Sequence, residues 1–350
     1  LGLAQRASDQ YLAAQADANQ TAMRTIEHVF SETIMPGDRG LERKRLRRYG
    51  LIEPYRLLSA AQGKKPSQNE AYFLRRERTA DDPNVLSKRR FHAMNKWPLE
   101  SDVPGFRSNM LAYMSTLEAL CQKLVKLYAL ALDLPDDHFD RYFAKPHMIL
   151  RMSRYPVIDG ADESVASLVP HTDSGFMTLL PPNKVQGLSI QLPDGRWMDA
   201  PGIEDAFVVN GGDILHRWTN ERFLSTPHRV RNVSGQLRYA VPFFCDPDHD
   251  TVIECLPTCG EPKYPPIKFG DYALWFAAQR YEPAAQKPVV AIPQEPPVDP
   301  LPPLEPEPTA LFAASLVLVR AGDLFVKLST NQPETTFVGV LLADLDPGVV

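Results

Sequence analysis

Apolar residues recur at steps of three and four from Phe106 onward, through Met110, Met114, Leu117, Leu120, Leu124, Leu127 and Ala131. Steps of three and four hold side chains on one helix face, so the pattern predicts a long amphipathic helix over 106–132. Pro104-Gly105 precedes it, and Asp133-Leu134-Pro135 ends it, because proline cannot continue a helix. A sparser pattern of the same period, through Tyr11, Leu12, Met23, Ile26 and Val29, predicts a helix over about 7–30. From about Met148 the period changes. The runs MILRMSRYPV, FMTLL, LSIQL, RWMDA, AFVVN, LSTPHRVRNV and LRYAVPFF are short, rich in β-formers and separated by Gly, Pro, Asn and Asp. Closely spaced strands of this kind predict a β-sandwich or jelly roll, not alternating βαβ units. Gly211-Gly212, in NGGD, lacks both the rest of a phosphate-loop pattern and an expected helix.

Length adds that 350 residues suit one large domain, or one domain with an appendage. Of 33 prolines, ten fall within 283–308, a density that predicts an extended linker unable to pair inside a sheet. The expected organisation is a domain over 1–282, helical to about 140 and jelly-roll from about 141, then the linker, then a strand-like tail over 309–350. With 38 basic and 43 acidic residues, the chain carries no electrostatic footprint for nucleic acid. The basic run at 39–48 lacks interleaved aromatics and reads as a solvated face. The longest apolar run, Ala310–Val319, is far short of the ~20 residues a bilayer demands, so no membrane partner is expected. Four cysteines do not make a disulfide scaffold, and LGLAQRASDQ carries no secretory pattern. The expectation is a reduced cytoplasmic protein whose natural start lies upstream of Leu1.

The candidate chemistry lies in PHTDSG and STPHRV. His171 and Asp173 are two apart, so on a strand both would project from one face. His228, 55 residues after Asp173, would complete a set of two histidines and one carboxylate. That set holds Fe(II) on one side and leaves positions open for substrate and O2. Zn²⁺ is compatible with the donor types, but no Glu accompanies His171 as an HExxH protease site requires. An HxD alone arises readily by chance; its context makes it informative. Arg238, ten residues past His228, could clamp a dicarboxylate with its planar fork, and Tyr155 offers a phenol to the same anion. Phe176, Met177, Leu180 and Leu188 are candidates to line an apolar substrate pocket, with core packing the equal alternative for each. His216 is expected to be packed or hydrogen-bonded. His147 and His249 have no partner pattern, and Cys255 and Cys259 lack the second pair a zinc site needs.

These residues resemble a known family. NKWP (95–98), PGFRSNMLAYMSTLEAL, LRMSRYP, PHTDSGFMTLL, GLSIQ, VVNGGDILHRWTNERFLSTPHRV, RYAVPFF and the later IECLPTCGEPKYPPIKFGDY together look like the isopenicillin N synthase-like branch of the Fe(II)/2-oxoglutarate-dependent oxygenases, over roughly 69–280. The resemblance implies a double-stranded β-helix flanked by helices. It implies iron on His171, Asp173 and His228, the distal carboxylate of 2-oxoglutarate on Arg238 with help from Tyr155, and Arg151 near the mouth against co-substrate or substrate. Asn210 and Asp213 read as structural parts of a turn. The implied activity couples O2 and the oxidative decarboxylation of 2-oxoglutarate, to succinate and CO2, to hydroxylation, desaturation or rearrangement of a small molecule. A specialised metabolite is the expected substrate class.

Two departures stand out. The family's Arg-x-Ser is here Arg238-Tyr239-Ala240, which removes a hydroxyl from the expected carboxylate site. The family's opening strand, helix and strand, ending near Asn-His-Gly, are not found ahead of Ala7, whereas VGVLLADL (338–345) resembles the opening strand. Two other readings fit the same residues: a ferrous oxidase of the isopenicillin N synthase type that does not use 2-oxoglutarate, and a non-catalytic binding protein on the same scaffold.

Overall fold

The computed structural model describes residues 69–281, apart from 102, 158–166, 182, 193–194, 201–205 and 233, together with strands within 312–330. The helix expected over 7–30, the basic run at 39–48, the proline-rich segment and residues 338–345 lie outside the described residues. In chain order come β1 (Glu70–Arg75), α1 (Pro83–Leu86), α2 (Phe106–Ala131), α3 (Asp140–Phe143), β2 (His147–Tyr155), β3 (Leu168–His171) and β4 (Met177–Leu180). There follow β5 (Leu188–Gln191), β6 (Trp197–Asp199), β7 (Ala206–Gly211), α4 (Asp213–Trp218), β8 (His228–Val230), β9 (Arg238–Ala240) and β10 (Phe243–Asp246). The last are β11 (Val252–Ile253), β12 (Ile267–Lys268), α5 (Phe269–Tyr281), β13 (Phe312–Ala314), β14 (Leu316–Arg320), β15 (Asp323–Phe325) and β16 (Ser329–Thr330).

Two antiparallel sheets form the double-stranded β-helix. The larger runs β1-β2-β10-β4-β7-β14-β15, with β9 also paired to β2; the smaller runs β3-β8-β5-β6. Alternation along β2, β4, β7 and β10 of the larger sheet assigns one face to the hydrophobic core and the other to a cavity. Leu150 and Met152, Met177 and Leu179, Phe207 and Val209, and Phe243 and Cys245 are buried in one core with the inward residues of α2. The intervening Arg151 and Tyr155, Thr178 and Leu180, Val208 and Asn210, and Phe244 face the cavity. The long helix forms where periodicity predicts, burying Met110, Met114, Leu117, Leu120 and Leu124 along that core.

LRYAVPFF proves to be two strands. Val241-Pro242 interrupts it, since proline has no N–H for the ladder. The β9 strand pairs with the end of β2 and β10 with its beginning, while Pro242 still accepts a hydrogen bond from the Arg151 N–H at 3.0 Å. A helix does follow Gly212, contrary to the sequence expectation. Its first N–H groups are taken by the protein itself: Asp213 N donates to the Asp173 carbonyl at 2.8 Å and Ile214 N to the Gly175 carbonyl at 3.1 Å. Gly212 is required there, because a Cβ would lie 2.4 Å from the Gly175 carbonyl oxygen. In the tail, β14 runs antiparallel along β7, with Leu318 opposite Val208. Among the described residues, no helix is long and apolar enough to cross a membrane.

Candidate active site

His171 ends β3, His228 opens β8, and the two are register partners across that pair. Their ring centroids are 4.3 Å apart. Asp173 lies beyond the end of β3, in the loop that docks on α4, so loop anchoring and not strand alternation brings it to His171. Its Oδ1 is 3.9 Å from His171 Nε2 and 3.7 Å from His228 Nε2, and the three side chains form the one candidate metal-binding group among the described residues.

Each ligand is held by a second hydrogen bond that dictates which atom faces inward. The Nδ1 of His171 contacts the Val169 carbonyl at 2.9 Å and that of His228 the Thr226 carbonyl at 3.0 Å. With Nδ1–H donating to a carbonyl, each Nε2 keeps its lone pair for an ion. Asp173 Oδ2 accepts from Thr178 Oγ1 at 2.7 Å and from Asn210 Nδ2 at 3.0 Å, leaving Oδ1 to the histidines. Burial raises the Asp173 pKa, but His228, His171 and these two hydrogen bonds outweigh it and hold the carboxyl below its ordinary value. A mixed N/O donor set with one fixed atom from each residue fits a single divalent transition metal.

The surrounding cavity holds about 630 Å³, counting its open mouth. Leu180 and Leu188 line it, as do Ile190 and Phe244. Phe176 and Met177, expected as pocket candidates, do not. Met177 points to the helix face because its neighbour Thr178 points to the cavity, and Phe176 is sealed among Tyr128, Phe139, Phe143 and Trp218. Arg238 is 2% exposed; its Nε donates to the Val185 carbonyl at 3.1 Å, its guanidinium lies 5.1 Å from the Tyr155 ring centroid, and its Nη1 has no partner among the described residues. Burial lowers the Arg238 pKa, opposed by Tyr155. Such a guanidinium calls for an anion. Arg151, also buried, donates to Asn69 Oδ1 at 3.2 Å and stands over the Phe73 ring.

Neither Thr178 nor Asn69 stands out in the sequence, and Asn210, expected as a structural part of a turn, also supports a ligand. Phase along the strands is the signal that finds Thr178 and Asn210: each shares a face with the cavity-lining Leu180 or Val208. Among the remaining histidines, His216 is hydrogen-bonded to the Phe223 carbonyl as expected. His147 and His249, which have no partner pattern in the sequence, pack edge to face at 4.3 Å, with His92 4.7 Å from His249. These three sit on separate segments, so sequence spacing could not reveal the cluster.

Residues 146–247, which contain both histidines, Asp173, Arg238 and Tyr155, match the 2OG-Fe(II) oxygenase superfamily. Isopenicillin N synthase of Streptomyces jumonjinensis is 32% identical over 225 residues, covering 61% of this chain and 68% of that protein. The chain belongs to the 2OG-Fe(II) oxygenase superfamily. Other superfamily relatives include the 2-oxoglutarate-Fe(II) type oxidoreductase hxnY of Emericella nidulans, 35% identical over 227 residues and 63% of this chain. Kihadalactone A synthase LFS of Citrus sinensis is 38% identical over 218 residues and 59% of this chain. The chain spans 65% and 64% of the length of these two relatives. Among solved structures, a full-length Neurospora crassa protein in complex with alpha-KG superposes with a TM-score of 0.64 at 26% identity, over 78% of this chain and 91% of that one.

Proposed function

We propose that this protein is a non-haem Fe(II)- and 2-oxoglutarate-dependent dioxygenase that oxidises a small organic molecule, with release of succinate and CO2. The observation that carries the reading is the convergence of His171 Nε2, His228 Nε2 and Asp173 Oδ1 in the same cavity as the buried Arg238, whose Nη1 has no partner among the described residues. His171, Asp173 and His228 hold the iron, which, when bound, supplies O2 activation for attack on an unactivated C–H bond. Arg238 takes the distal carboxylate of 2-oxoglutarate, and the Tyr155 ring keeps the guanidinium in place. Arg151 serves substrate or co-substrate at the same wall. Leu180 and Leu188 contribute to a low-dielectric lining that strengthens the charge pairing with Arg238 and keeps bulk water from the reacting centre.

A cavity lined by apolar side chains around a few convergent polar groups suits a small metabolite. Relatives named for making kihadalactone A and isopenicillin N support a specialised metabolite as the substrate. The four free cysteines support a reducing, cytoplasmic setting. The test is a screen of candidate small molecules for substrate-dependent succinate release with Fe(II) and 2-oxoglutarate. The wild-type protein is expected to release succinate in step with product and His171→Ala to release none; turnover persisting in that variant would sink the iron assignment.

One observation favours a second reading. Ala240 offers the co-substrate carboxylate no side-chain hydroxyl, as suits a ferrous oxidase that draws all its electrons from the substrate. Product formation without 2-oxoglutarate would select that reading.

A further inference from the structure

We infer that Ser153 supplies the hydroxyl that Ala240 lacks, so that the co-substrate carboxylate is held jointly by Arg238 and by a serine on the neighbouring strand. The inference rests on the 2-oxoglutarate reading above and adds to it a residue that neither the motifs nor the comparisons single out.

Three alternate rungs join β2 to the strand beside it. Tyr155 lies opposite Arg238, Ser153 opposite Ala240, and the Arg151 N–H bonds to the Pro242 carbonyl. Residues directly opposite in an antiparallel pair project from the same face, and alternate residues along a strand share it. Arg151, Tyr155, Arg238, Ala240 and Pro242 all line the cavity, and alternation turns the Ser153 side chain to the same face of the sheet, buried beneath that lining. On its other flank Ser153 is paired with Ala71. Its rung is thus Ala71, Ser153 and Ala240, with no polar side chain but its own.

Ser153 is fully buried, and its Oγ has no hydrogen-bond partner among the described residues. A buried hydroxyl without an acceptor is destabilising and seldom retained without use. Two rungs away, on the same face, Arg238 Nη1 is buried and also lacks a partner among the described residues. Two orphaned donors on alternate rungs, which share one face of the sheet, are both satisfied by one carboxylate, with one oxygen on the guanidinium and the other on the serine. Ala240 is then a displaced hydroxyl and not a lost one. Directly opposed Cβ atoms stand only about 4.5–5.5 Å apart, so a hydroxyl on either residue reaches nearly the same point.

The test is calorimetric titration of 2-oxoglutarate into anaerobic, Fe(II)-loaded protein, with thermal melts recorded alongside. Ser153→Ala is expected to raise the Kd for 2-oxoglutarate about ten- to a hundredfold. Without 2-oxoglutarate the same variant should melt no lower than wild type, because an unpaired hydroxyl has been removed. Adding Ala240→Ser to Ser153→Ala should restore the Kd to within about threefold of wild type, whereas Ala240→Ser alone should tighten binding less than about threefold. A wild-type Kd in the Ser153→Ala variant, or a lowered melting point without 2-oxoglutarate, would overturn the role of Ser153. Wild-type protein that does not bind 2-oxoglutarate at all would overturn the co-substrate reading and this assignment with it.

Discussion

Thr178 Oγ1 donates to Asp173 Oδ2 at 2.7 Å, across a buried gap between β4 and the loop that carries the carboxylate. With Asn210 on the same oxygen, Thr178 decides which Asp173 oxygen faces the histidines. Thr178→Val keeps the shape and deletes that donor. Support of a ligand from behind is typically worth about 10–100-fold in metal affinity. The variant is expected to bind Fe(II) that much more weakly, with its fold intact, in an anaerobic metal titration. Unchanged affinity would show that Asn210 alone suffices.

Phe176 neighbours the ligand loop in sequence but belongs to the core, with four aromatic rings within 6.0 Å of its own. Phe176→Ala is expected to cost about 3–5 kcal/mol in stability through the cavity it leaves. Leu180→Ala and Leu188→Ala, on the cavity wall, should cost less stability and alter which small molecules bind. Urea denaturation and ligand binding, measured on all three variants, separate the two classes. A Phe176 variant of normal stability and altered selectivity would contradict the assignment.

The histidine cluster makes the fold acid-sensitive. Burial, then the nearby His92 and Arg89, lower the His249 pKa from 6.5 to about 3. Between those values the unfolded chain binds a proton that the folded chain refuses. The stability from neutral His249 is therefore complete above pH 6.5 and is lost as pH falls toward 3. His249→Leu removes that proton uptake. Its unfolding free energy should fall less steeply with acidification, by up to about 1.4 kcal/mol per pH unit. Parallel pH–stability curves for variant and wild type would contradict this.

The two loops behind the metal group touch backbone to backbone. A Cβ at Gly212 would meet the Gly175 carbonyl at 2.4 Å and the Asp173 carbonyl at 2.7 Å. Gly212→Ala is expected to destabilise by about 1–3 kcal/mol, as overpacking does. Since one of the two displaced carbonyls belongs to Asp173, Fe(II) affinity should fall with it. Wild-type values of both would mean that the loops have room to separate.

Local patterns in the sequence already determined a good deal. Helical spacing in α2, short strands broken by turn residues, and three ligands in two short motifs are properties of neighbouring residues, which a period of 3.6 or 2 makes legible. What tertiary structure decided depends on phase and partnership. Thr178 faces the cavity and Met177 the core because the larger sheet lies against α2 on one side only, and each face of MTLL carries a leucine, so the pattern alone does not mark which side is which. Asp173 meets His171 through the docking of its loop on α4, not through the strand alternation the spacing suggested. Ser153 stands opposite Ala240 only because β2 and β9 pair in one register across more than eighty residues of chain. No local pattern encodes that pairing: registry between distant strands is selected by burial of whole faces, so its consequences appear only when the sheets have closed.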